Sequence, residues 1–313
     1  MYTITRLFSR CLFTTSFTAA VLFGALAATA HADPGSSSKS SHSSWHWSFG
    51  DRVSYGINRT KGSGVVKEKS RNVANFSRLV LALPATVTLS QGATESLTIS
   101  TDDNLLPLLT TRVENDELLI EGDQARGFST KEGVRIRLTV KLLSGIRING
   151  SGDVFGDQLK SDKFEIVIAG SGDVKFKSIR ADQFRIGIKG SGDVTVDTAA
   201  SKSVEASIHG SGDIRLASLQ ATLVSISVNG SGDVFAAGNT DRVDIEIVGS
   251  GDVRTRKLVA REAAVKIMAS GDAEVHANEK LVASVYGSGD IRYAGSPANV
   301  SRTVRGSGSI EAL

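Results

Sequence analysis

The chain has 313 residues but a single cysteine, Cys11, and only four prolines, two methionines and two tryptophans. Cys11 lies early in the one long apolar run, at the N-terminus: "MYTITRLFSRCLFTTSFTAAVLFGALAATAHADPG". Arg6 and Arg10 precede that run, and Ala28, Ala30 and Ala32 close it, the pattern of a secretory signal peptide over residues 1–32 cleaved after Ala32. A mature chain from Asp33 has no thiol, which excludes disulfides, cysteine metal sites and cysteine nucleophiles. It has no second apolar run long enough to cross a bilayer, so no membrane span is expected after cleavage. An excess of one charge is also missing. Without Arg6 and Arg10, 34 of the 36 basic residues remain against 33 acidic ones, a net charge near +1 that gives no electrostatic case for nucleic acid. Helical spacing of apolar residues is absent as well, and the patterns that are present have other periods.

Residues 33–61 open with "DPGSSSKSSHSSWHWSFG", serine-rich and without apolar periodicity, which reads as a flexible tether. His42 and His46 are four apart, but the serines disfavour the helix that would turn both towards one metal ion. Residues 62–147 are β-rich and not repetitive. From 148 to 313 the tetrapeptide GSGD returns, starting at Gly150, Gly170, Gly190, Gly210, Gly230, Gly249 and Gly287, with the variants "ASGD" at Ala269 and "GSGS" at Gly306.

Three columns appear when the copies are aligned. Two residues before the motif stand Ile148, Ile168, Ile188, Ile208, Val228, Ile247, Ile267, Val285 and Val304. Four before it the residues are aliphatic until Arg302, and directly after it stand Val154, Val174, Val194, Ile214, Val234, Val253, Ala273, Ile291 and Ile310. Polar residues alternate with these, the period-two signature of a strand with one buried face. A unit of about 20 residues cannot bury its apolar face alone, and stacked units can. The expected fold is all-β: a single-stranded, right-handed parallel β-helix with coils of about 20 residues, the hand following the usual sense of parallel crossovers. A hairpin array is the alternative, disfavoured because like residues recur at one-coil spacing.

The motif falls where the coil must turn. Glycine allows positive φ and close approach of backbones, and serine and aspartate accept hydrogen bonds from nearby N–H groups. The expected corner residues are Gly150, Gly152, Asp153, Gly170, Gly172, Asp173, Gly190, Gly192, Asp193, Gly210, Gly212, Asp213, Gly230, Gly232, Asp233, Gly249, Gly251, Asp252, Asp272, Gly287, Gly289 and Asp290. The competing reading is a calcium ladder along the aspartates. Ser309 replaces the last aspartate, keeping a hydrogen-bond acceptor and losing the charge a cation needs, so the structural reading is preferred. Beside the corner runs a variable column in which Phe155, Lys175, Arg215 and Phe235 make up a candidate binding strip. His209, just before one motif, reads as an exposed side chain.

The order of "FSRLVLALPATVTLSQG", then "LTISTDDNLLPLLTTRVENDELLI", then "RINGSGDV" resembles the auto-transporter adhesin head family known as the GIN domain, over about residues 62–313. The resemblance implies an exported, β-helical domain and names neither a ligand nor a catalytic residue. Only "SGSIEAL" follows Gly306, so the expectation is a chain without a membrane barrel of its own, displayed or held in the periplasm by another route.

Two function classes follow. One is a noncatalytic scaffold or adhesin-like module whose faces or end coils bind an envelope protein or a surface glycan, at the cell surface or in the periplasm. The other is a polysaccharide-acting β-helix enzyme, which needs a cleft walled by long loops. The near-constant period leaves no insertion for such walls, so no catalytic residue, metal or cofactor is expected.

Overall fold

The computed structural model describes residues 59–123 and 127–313. The expected signal peptide and the tether as far as residue 58, with His42, Trp45, His46 and Trp47, lie outside the described residues. Every described strand belongs to one unit, Tyr55–Leu313, with a continuous apolar core of its own.

Seven long strands carry the repeat: Asp153–Ile168, Val174–Ile188, Val194–Ile208, Ile214–Val228, Val234–Ile247, Val253–Ile267 and Ala273–Val285. Each pairs with the next in parallel, and the first four are offset by 20 residues. Ile168, Ile188 and Ile208 are therefore stacked on strands of one sense, all completely buried. The chain is a β-solenoid, and the GSGD corners separate its windings.

The sequence pattern suggested one strand on each side of the corner. Instead, a single strand runs from corner to corner and bends within itself. Along Val174–Ile188 the buried residues are Val174, Phe176, Ile179, Ala181, Phe184, Ile186 and Ile188. Alternation slips between Phe176 and Ile179 and again between Ala181 and Phe184, where two successive residues leave the core. Such a slip turns the chain without taking it out of the ladder, so two slips and one GSGD corner give each winding three sides.

Complementary volumes fill the tube. Phe164 stacks on Phe184 with centroids 6.0 Å apart and meets Phe176 edge-on at 5.8 Å. Gly156 lies directly beneath Phe176, and a Cβ there would overlap the ring. Small and large residues thus alternate within one column to reach interior packing density.

The N-terminal end is built differently. Strands Arg78–Ala82 and Thr86–Gln91 form a first winding that pairs with Gly145–Ile148 and Asp153–Gly156 on one side. On its other side lie Glu117–Gly122 and Arg135–Val140, which come later in the chain. Beyond them the pairing becomes antiparallel: Leu109–Glu114 on Glu117–Gly122, Ser96–Asp102 on Arg135–Val140, and Val66–Arg71 on Ser96–Asp102. Asp102, fully buried, accepts hydrogen bonds from Gly64 N at 2.6 Å and Thr130 Oγ1 at 2.5 Å. Ser63 donates to Asp103 at 2.7 Å, and that bond together with Lys67 holds the Asp103 carboxyl below its ordinary range.

The opposite end stays open. Among the described residues Asn299–Val304 pairs only with the winding beneath it, and so does Ile310–Ala312. Val300 and Val304, in columns completely buried elsewhere, are 41% and 45% exposed. Arg302 occupies an otherwise aliphatic column because no further winding covers it. Its guanidinium lies over the Tyr293 ring and hydrogen-bonds the Tyr293 hydroxyl, putting a polar lid on the tube.

Candidate functional site

At the corners the chain stacks backbone on backbone. Gly150 O accepts from Ser171 N at 2.9 Å and from Gly172 N at 3.2 Å; the serine bond recurs at every corner above, and the glycine bond at all of them except Gly170. A Cβ at Gly170, Gly190, Gly210 or Gly230 would overlap the carbonyl of the glycine one winding below. The second glycines behave alike, Gly172 over Gly152 and Gly212 over Gly192. Positive φ occurs at only two of the corner glycines, Gly150 and Gly306, so close approach accounts for the residue type elsewhere. At Ala269, the one departure in the first-glycine column, Ser270 N lies 3.3 Å from Gly249 O, against 2.9 Å at the five corners before it.

Each aspartate reaches to the next winding, where the sequence had suggested an N–H within its own turn. Asp153 Oδ1 accepts from Asp173 N at 3.0 Å, Asp173 Oδ1 from Asp193 N at 2.9 Å, and Asp193 Oδ1 from Asp213 N at 2.8 Å. The chain of bonds continues through Asp213, Asp233, Asp252 and Asp272 to Asp290, whose Oδ1 takes Ser309 N at 2.8 Å. Among the described residues no N–H donates to Ser309 from above. Acceptance of an N–H by each carboxylate and the neighbouring cations offset repulsion along the stack. Arg254 lies 3.1 Å from Asp233 Oδ2 and 2.9 Å from Asp252 Oδ2, and these two charges, Asp233 first, raise its pKa. Among the described residues no group of three or more His, Cys, Asp or Glu side chains is placed to hold a metal ion.

Phe155, Lys175, Arg215 and Phe235 fall in one outward column, joined through Thr195 in consecutive register. Successive rungs lie about 4.8 Å apart. Phe155 is 41% exposed, and the Arg215 guanidinium lies 4.3 Å from the centre of the Phe235 ring. The strip therefore presents a free aromatic face beside a lysine, then a cation already seated on a ring. His209 is in a different outward column, between Lys189 and Asn229.

Sequence reasoning missed a second surface feature. Leu142, in the loop between Arg135–Val140 and Gly145–Ile148, is 69% exposed. It lines a groove of about 640 Å³ together with Ser77, Gln91, Lys160, Asp162 and Lys163. Gln91 joins its walls: Nε2 donates to Lys141 O at 3.0 Å and to Lys160 O at 2.9 Å, and Oε1 accepts from Lys160 N at 2.8 Å. The only sequence signal was the exposed pair Lys141–Leu142 ahead of the first repeat, which has no periodicity to give it away.

Stacked parallel windings and backbone-paired corners define a β-solenoid. The chain belongs to the family described as "Putative auto-transporter adhesin, head GIN domain", whose model matches residues 75–202 and 186–297. Among solved structures it is similar to a "putative adhesin" from Parabacteroides distasonis, 24% identical with a TM-score of 0.66, covering 82% of this chain and 100% of that one. A "Putative lipid binding protein" from the same species is 25% identical with a TM-score of 0.63, covering 82% and 99%. A "putative adhesin" from Parabacteroides merdae is 20% identical with a TM-score of 0.65, again covering 82% and 99%. No curated protein matches the chain.

Proposed function

We propose that the chain is an exported, noncatalytic, adhesin-like binding module in which the GSGD corners are structural and the strip from Phe155 to Phe235 meets the ligand. The observation that carries this reading is the constancy of the windings. From Asp153 to Val285 each is one strand and one short corner, and no loop rises beside the strip to wall a cleft. Catalysis needs converging acids and bases shielded from water. Here each corner carboxylate already accepts the N–H of the next winding.

The ligand class that fits is a surface glycan bearing acidic groups. A sugar ring packs on Phe155, and Lys175 one rung away takes the carboxylate or sulfate. Membership of an adhesin family and the adhesin names of two similar structures agree with this reading. A glycan array with the Tyr55–Leu313 unit tests it. Binding of acidic glycans should fall about tenfold or more in Phe155→Ser and in Lys175→Gln, by loss of one contact worth over 1 kcal/mol. Both variants should melt as the parent does. Binding confined to envelope protein, or unaffected by either substitution, would reject the glycan.

A further inference from the structure

We infer that the groove around Leu142 is a second binding surface, independent of the strip, and that it seats the chain on an anionic lipid bilayer. Leu142 stands further out of the fold than any other large apolar side chain among the described residues. It projects from a polar wall of serines and Gln91 in which two lysines face a single carboxylate. Lys160 and Lys163 line the groove, Lys141 precedes Leu142, and Arg180 lies on the rung next to Lys160. Among the described residues these four cations form no ion pair within 4 Å, and Asp162 is the one carboxylate in the groove lining.

The arrangement is held in place. The Gln91 amide bonds the backbones of Lys141 and Lys160, so the leucine loop and the lysine corner cannot drift apart without breaking the bond to Lys141 or the two to Lys160. Leu143, the next residue, is completely buried and anchors the loop from beneath. An apolar tip beside lysines matches the boundary where acyl chains meet phosphate headgroups: the leucine enters the hydrocarbon while the lysines stay with the phosphates. A glycan would satisfy the cations and leave Leu142 in water, and an apolar protein patch would leave the cations uncompensated. Charge complementarity therefore selects the bilayer.

Co-sedimentation of the Tyr55–Leu313 unit with vesicles tests the inference. Vesicles of phosphatidylcholine containing phosphatidylglycerol should bind the unit, and phosphatidylcholine alone should bind it at least about tenfold less, since each basic residue near an anionic surface contributes severalfold. Leu142→Ser should reduce binding about tenfold, and Lys160→Gln combined with Lys163→Gln by a similar factor or more. All variants should keep the parental melting temperature, because these side chains are outside the core. Phe155→Ser should bind vesicles as the parent does, which separates failure of this surface from failure of the strip. Equal binding to both vesicle types, no binding to either, or indifference to Leu142→Ser would overturn the inference. So would glycerol phosphate displacing the unit from vesicles, which would make the groove a small-anion site.

Discussion

The turn Leu83–Thr86 and the turn Gly150–Asp153 occupy equivalent places in neighbouring windings, yet share no residue type. Leu83 stands where Gly150 does, Pro84 where Ser151 does, Ala85 where Gly152 does and Thr86 where Asp153 does. The difference lies in what is stacked on each. Among the described residues no matching corner lies beneath the first turn, where Val134 O accepts from Thr86 N at 2.9 Å. From Gly170 on, every corner rests on another. Glycine is therefore dictated by the winding below and aspartate by the winding above. Ser309 completes the rule from the other end: it has glycines at its corner because a winding lies beneath, and no aspartate because none lies above.

The sharpest way to break this comparison is to give a repeat corner the side chain that the first turn tolerates. Gly212→Ala drives a Cβ into Gly192 O, and unfolding in urea should show a loss of about 1–3 kcal/mol or more. The reverse change, Ala85→Gly, should cost under about 1 kcal/mol, the conformational freedom of glycine alone.

A smaller effect separates the two directions of the rule. Asp213→Ala leaves Asp233 N without its acceptor, and the midpoint should shift by roughly 1–3 kcal/mol, less in Asp213→Asn, which keeps an oxygen there. Ser309→Asp adds a carboxylate with nothing above it and should change stability by no more than about 0.5 kcal/mol. A gain from Ser309→Asp as large as the loss from Asp213→Ala would mean that the aspartate serves its own turn.

An effect of opposite sign sharpens the rule. Ala269→Gly should stabilise by about 1 kcal/mol, because relief of overpacking exceeds the entropy that glycine adds to the unfolded chain. Amide exchange at Ser270 should slow as its 3.3 Å bond shortens towards 2.9 Å.

What could be read from the sequence follows the same division. Columns such as Ile168, Ile188 and Ile208 repeat at one offset, so the parallel stack and its buried faces were visible before any coordinates. The candidate strip was visible too, since outward columns inherit the register of the inward ones. Corner bookkeeping was only half visible: glycine signalled close approach, but the partner of each aspartate lies about 20 residues away, and local turn chemistry does not report it. The two bends within each strand escaped notice because a slip of one residue in alternation looks like noise in a single copy. The N-terminal end has no copies to align. Its buried Asp102, its antiparallel pairs and the Gln91 bridge between Lys141 and Lys160 join segments that only the folded chain brings together.

The winding formed by Arg78–Ala82 and Thr86–Gln91 lies between strands that all come after it in the chain. A chain delivered from its N-terminus cannot complete this layer in the order of delivery, because both neighbours are still to arrive. The stretch from Val66 to about Ile168 therefore closes only when its later strands are in place. Each later winding needs only a neighbour to pair with, so the repeat can lengthen one winding at a time.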